Sequence, residues 1–172
     1  MSLERWLTRT LGDAESMRFG SGWISGVLSI FLGALCVFAV LCFRYPGVLV
    51  MADTRGLYPL PVMRAILEVC IGLSFLFGFL SAALRRRKVL ALTGIALAWL
   101  AILLGGSEVP LGTVGEGHLY LGLDWFILNL LGLTLIFVPL ERLFPQRADQ
   151  HVLRRGWFTD LQHFGVSHLL VQ

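Results

Sequence analysis

Four long apolar runs constrain this chain more than anything else in it. Trp23 to Phe43 is 21 residues without a charge, and Ala65 to Leu84 is 20 residues with one, Glu68. Val89 to Ser107 is 19 residues with none, and Leu119 to Leu140 is 22 residues with one, Asp124. A bilayer core of about 30 Å is crossed by about 20 residues of helix rising about 1.5 Å each. Every run is long enough to span. With 56% hydrophobic and 15% charged residues in 172, the chain carries too few charges for an ordinary soluble domain, where about a quarter are charged. One membrane domain fills the length.

The placement of the basic residues predicts an orientation. Arg5, Arg9 and Arg18 precede the first run. Arg85, Arg86, Arg87 and Lys88 join runs two and three. Arg142, Arg147, Arg154 and Arg155 follow run four. The link between runs one and two holds Arg44, Arg55 and Arg64, whereas the link between runs three and four has no Lys or Arg and carries Glu108 and Glu116. Basic loops stay in the cytoplasm, so both termini are predicted there, with four spans between them. A tight loop between spans accounts for Arg85 to Lys88, and nucleic acid is not an expected partner. Membrane lipid is.

The links contain helix punctuation. Residues 1–22 place Leu3, Trp6, Leu7 and Leu11 on a helical stripe beside Arg5 and Arg9, which predicts a helix lying on the cytoplasmic surface. Tyr45-Pro46-Gly47 ends the first run, and Pro59 and Pro61 bracket Leu60 before the second. Gly26, Gly33, Gly72, Gly78 and Gly94 are expected to let helices approach closely. Gly26 and Gly33, seven apart, share a face. Beyond run four, Thr159 and Gln162 have the spacing of a capping box, and Trp157, Leu161, Phe164 and His168 share one face of an amphipathic helix.

Candidate chemistry is sparse. Glu68 and Asp124 lie near the outer ends of their runs, where solvation is cheap. An intramembrane carboxylate is a functional candidate by default, with Arg64 or polar groups on neighbouring helices as its partners. Asn129 is expected to bond to a neighbouring helix. Residues 105–118 contain five glycines in 14, but lack the Gly-Lys-Ser/Thr ending of a phosphate-binding loop. Metal binding on a helix wants ligands at i and i+3 or i+4. His163 and His168 are five apart and diverge by more than about 100°. His118 is on the opposite predicted side, and His151 is in a basic loop. Cys36, Cys42 and Cys70 fall inside runs without metal-ligand spacing. The first run exceeds a signal-peptide core of about 7–15 residues, and Leu35 before Cys36 is unsuited to lipoprotein cleavage. A transporter would show charges near the midplane and repeated halves, and neither is evident. No catalytic, cofactor-binding or metal-ligating residue is assigned.

The segment 139–172 carries a resemblance. Pro139-Leu140-Glu141-Arg142-Leu143-Phe144-Pro145, a basic loop, then Arg154-Arg155-Gly156-Trp157-Phe158-Thr159-Asp160-Leu161-Gln162-His163-Phe164 resembles the entry segment of bacterial sterol desaturase-like proteins of the fatty acid hydroxylase superfamily. The resemblance implies a membrane oxidoreductase whose histidine boxes hold two irons and activate dioxygen against a lipid C–H bond. This sequence departs from that pattern, since it contains no His-x-x-x-His or His-x-x-His-His box, and no catalytic residue carries over. What is implied is the membrane-anchoring N-terminal part of such a protein, inactive by itself, with a lipid substrate belonging to the full-length form. The missing helix closure at Leu169-Leu170-Val171-Gln172 is consistent with an absent continuation. The alternative is a small non-enzymatic membrane protein that binds a lipid or a partner.

The expected fold is all-α. Residues 1–22 form a cytoplasmic amphipathic segment, 23–140 a region of four transmembrane helices, and 141–172 a basic loop and amphipathic helix leading toward the absent catalytic half. The expected location is a bacterial inner membrane.

Overall fold

The first apolar run becomes one unbroken helix, α1 (Trp23–Arg44). The computed structural model that shows this describes residues 20–51, 56–114, 122–130, 133 and 157–170. Pro46 starts a single turn, α2 (Pro46–Leu49). The second run lies within α3 (Leu60–Leu84), with Pro61 in its first turn, where a missing N–H costs nothing. The third run gives α4 (Val89–Leu103) and then a short 3-10 turn, Gly106–Glu108. Residues 123–130 are helical, and α5 (Trp157–Leu170) is the last element. There is no strand among the described residues.

Among the described residues, three stretches are long and apolar enough to cross a membrane: Trp23–Arg44, Leu60–Leu84 and Val89–Glu108. The expected fourth span lies partly outside the described residues. So do the N-terminal surface helix, the 141–156 loop, His118 and His151.

The four-residue link 85–88 folds α4 back on α3, and α1 packs against both. This leaves one end of the bundle carrying the links 45–59 and 104–112, here the loop end. The other carries Trp23 and Arg85 to Lys88, here the basic end.

Small residues make up most of the seam between the three helices. From α1 come Ser25, Gly26, Ser29, Gly33, Cys36 and Val40. From α3 come Leu67, Ile71, Ser74, Gly78 and Ser81, and from α4 Leu90, Ala91, Gly94, Ala98 and Ala101. The α3 positions advance by three and four, as residues on one helix face must. Small residues bring backbones close, which is how helices associate where there is no water to squeeze out. A Cβ on Gly26 would lie 2.7 Å from Ser81 Oγ, and one on Gly78 would lie 2.6 Å from Ile95 Cγ1. One on Gly33 would lie 2.8 Å from Leu97 Cβ, and one on Gly94 would overlap the Ser29 side chain. Gly72 departs from expectation: it is exposed and has nothing within 4 Å of its Cβ position. It is six residues from Gly78, which turns it about 120° away from the seam.

Serine hydroxyls hold the seam. Ser29 Oγ donates to the Ser74 carbonyl at 2.7 Å, and Ser74 Oγ donates to the Ser29 carbonyl at 2.8 Å. Both residues are fully buried. Ser81 Oγ donates to the Gly22 carbonyl at 2.7 Å. Each hydroxyl thus reaches a carbonyl that is already part of, or leads into, a helix, so none of these three hydroxyls is stranded.

The polarity is inverted relative to a soluble protein. Small side chains and hydroxyls lie inside, while Leu92, Leu103, Val69 and Phe79 are more than half exposed. In water, each such apolar side chain would forgo roughly 1.5–3 kcal/mol of burial. In lipid nothing is lost, because acyl chains are as apolar as leucine. On this outer surface Phe75 meets Trp99 edge-on at 5.8 Å and stacks with Phe79 at 6.3 Å.

The last helix begins at Trp157. Thr159 is therefore inside its first turn and cannot be the N-cap that its spacing to Gln162 suggested. Asp160, also in the first turn, complements the positive end of the helix dipole.

Candidate functional site at the ends of the bundle

The ionisable side chains described in the bundle sit at or near its two ends, and the ends are built differently. At the loop end, α4 is stopped by two glycines. Gly105 has φ 123° and Gly106 φ 54°, a region that residues with a Cβ rarely enter. The turn sends the chain back across the helix ends. Val109 then drops fully buried into a cluster with Cys36, Val40, Leu67, Ile71 and Ala101. Three residues on, Gly112 N donates to the Phe43 carbonyl at 2.9 Å, and a Cβ there would strike the Arg44 carbonyl. The link is a stopper, not a loose loop.

Polar side chains tie the stopper down. Arg64 Nη2 donates to the Val109 carbonyl at 2.9 Å, and Arg44 Nη1 reaches the Leu104 carbonyl at 3.5 Å. Both arginines lie in helices that meet this end, so their side chains can extend to the interface while their stems stay apolar. Arg64 is therefore engaged with the backbone of the second link. Glu68, one turn further along α3, is exposed.

Asp124 holds the first link. Its Oδ1 accepts from Met51 N at 3.1 Å and its Oδ2 accepts from Tyr58 O–H at 3.0 Å. One carboxylate thus fastens two ends of the 45–59 link to the start of the fourth apolar run. The partners expected for it were Arg64 or polar groups on neighbouring helices; these two come instead from the link between α2 and α3. Within the apolar stretch 48–51, Val50 is buried while Val48 is exposed, so the stretch turns one side chain inward and another outward. Asn129 is partly buried, and the inter-helix bond expected of it is not formed among the described residues.

Phe126, two residues from Asp124, meets Phe164 of α5 with ring centroids 5.7 Å apart. The last helix is thereby seated beside the start of the fourth run. His163 is on this helix and exposed.

At the basic end, Gly22 introduces α1 with φ 74°. A Cβ on it would lie 2.9 Å from Leu84 Cβ and 3.3 Å from Arg85 Cβ, so only glycine suits the position. Arg86, Arg87 and Lys88 are exposed. Two buried donors here, Trp23 Nε1 and Arg85 Nη1, have no hydrogen-bond partner.

Metal chemistry finds no support in the donor set. No group of three or more His, Cys, Asp or Glu side chains among the described residues could hold an ion. The di-iron group implied by the resemblance does not fit them, and no step is derived through it. Sequence reasoning missed Tyr58 as a ligand of Asp124 and Val109 as a core residue. The Gly105-Gly106 pair was the one local sign of the tight return that buries Val109.

No family model, no curated protein and no solved structure matches this chain.

Proposed function

We propose that this chain is a membrane anchor and scaffold, specifically the membrane-anchoring part of a sterol desaturase-like, lipid-modifying oxidoreductase. Its seam carries the reading. From Ser25 to Ala101 the facing residues are uncharged and most of them are small, and the serines bond helix to helix. A conduit would need ionisable or hydrated groups near the midplane. A scaffold needs close packing and a lipid-compatible exterior, and both are present. The likeness of 139–172 to the family's entry segment supplies the enzyme class. The basic residues at 85–88 support a cytoplasmic basic end in a bacterial inner membrane. In this role the bundle fixes a catalytic half at the bilayer surface, and α5, seated on Phe126, carries the chain toward it.

The test is to read the coding nucleotide sequence past the codon for Gln172. His-x-x-x-His and His-x-x-His-His clusters are expected, in frame or after a frameshift. Their absence removes the oxidoreductase and leaves the second reading, a small membrane protein that binds lipid or a partner. The unpartnered donors at the basic end favour that reading, and they have a consequence under either one.

A further inference from the structure

We infer that the basic end holds a binding site for the phosphate of an anionic phospholipid headgroup, with Trp23 Nε1 and the Arg85 guanidinium as its donors. The proposal holds whether or not a catalytic half follows.

The first observation is that two of the three buried, unpartnered side-chain donors among the described residues, Trp23 Nε1 and Arg85 Nη1, lie at this end, the third being Arg64 Nε on a guanidinium that already bonds the Val109 carbonyl. A buried N–H without an acceptor is rare and costly, and a guanidinium more so. The second is that two carbonyls at this end, those of Gly22 and Ser81, are already engaged. The Gly22 carbonyl accepts from Gly26 N at 3.1 Å, Ser25 Oγ at 3.1 Å and Ser81 Oγ at 2.7 Å. The Ser81 carbonyl accepts from Arg85 N at 2.9 Å. The third is that the two residues share this end of the bundle. The backbone leading into Trp23 packs on Arg85, with Arg85 Cβ 3.3 Å from the Cβ position of Gly22.

Charge selects the ligand. Arg86, Arg87 and Lys88 are exposed beside the two donors. The carboxylates described in the bundle, Glu68, Glu108 and Asp124, belong to the loop-end half. An acceptor arriving at the basic end meets a positive field and no described carboxylate of the bundle. A tetrahedral phosphate offers several acceptor oxygens and a charge, and guanidinium recognises that geometry well. The surroundings select the source. Ile24 and Leu28 are exposed along α1 from Trp23, and Leu84 is exposed next to Arg85. These surfaces suit acyl chains, which inorganic phosphate lacks. Basic pockets between spans are a known way to seat anionic headgroups.

The test uses the whole chain in a neutral detergent, with binding of phosphatidylglycerol and phosphatidylcholine read by native mass spectrometry. Phosphatidylglycerol is expected to bind about tenfold more tightly than phosphatidylcholine. Arg85→Gln and Trp23→Phe should each weaken phosphatidylglycerol binding about tenfold, the effect of losing one hydrogen bond to a charged group. Trp23→Phe keeps the ring and removes only the donor, so it tests the site even where Arg85→Gln folds poorly. Arg87→Gln should change binding twofold or less. Equal losses for Arg87→Gln and Arg85→Gln, with none for Trp23→Phe, would replace the site with a diffuse field and overturn the proposal. Displacement of the lipid by millimolar inorganic phosphate would overturn the choice of lipid as the source.

Discussion

The two ends of the bundle pose the same problem and solve it in opposite ways. Each must end buried helices and dispose of arginines. At the loop end, Arg64 and Arg44 donate to the backbone of the 104–112 link, and Asp124 receives Met51 N and Tyr58 O–H. The chain itself supplies these partners and leaves only Arg64 Nε buried without one. At the basic end, the link is four residues long, too short to fold over anything. Trp23 and Arg85 are left with donors that nothing described accepts. One end is closed from within, while the other is open to something from outside. Link length is the difference: a long link can bring its own carbonyls, and a hairpin cannot.

The most decisive way to break this comparison is to place both ends on the same side. With Cys36, Cys42 and Cys70 replaced, single cysteines at Ser107 and Arg86 should react with an impermeant thiol reagent from opposite faces of sealed vesicles. Reaction from one face would end the spanning arrangement of α3 and α4.

Next in size is the seam that joins the ends. Gly94→Leu forces a large side chain into the space of Ser29 and the Ile30 backbone. Overpacking of this kind costs about 1–3 kcal/mol or more, visible as lost monodisperse protein and a lower unfolding midpoint in detergent. Gly72→Leu, open on all sides, should leave the midpoint unchanged.

A sharper contrast comes from the arginines themselves. Arg64→Leu strands the buried Val109 carbonyl and should cost about 1–3 kcal/mol. Arg85→Leu strands nothing described and should cost almost nothing where no anionic lipid is present. Paired unfolding titrations in neutral detergent read both. Asp124→Leu should likewise speed amide exchange at Met51 while leaving the basic end as it was.

The smallest effect belongs to the crossed serines. Ser29→Ala and Ser74→Ala are each expected to cost about 0.6–1.7 kcal/mol, the range for hydroxyl bonds between membrane helices. A double-mutant cycle should show coupling, since each removes a partner of the other's backbone.

The long helices were legible because their apolar lengths match a bilayer and Pro46 and Pro61 mark their borders. Gly26 and Gly33 were legible as a packing face because seven residues make about two turns. Gly72 was not separable from Gly78, since α3 is apolar all round and its pattern does not say which side meets protein. Val109 looked like a surface residue between Glu108 and Pro110, and only the return of the chain buries it. Asp124 stood out as a carboxylate in an apolar run. Its partners, Met51 and Tyr58, are 73 and 66 residues away, and no local pattern encodes such a distance. The paired vacancies at Trp23 and Arg85 are visible only once Gly22 is seen spending its carbonyl elsewhere.

The crossed serines also act as a gauge. Two bonds that run in opposite directions between Ser29 and Ser74 close together at one relative height of α1 and α3. A slip of one turn, about 5.4 Å, would open both at once. In a bilayer, α1 and α3 would therefore move together as one strut. A push that sinks one rim lifts or lowers the other by the same amount, so whatever rides on either rim is held at a set depth.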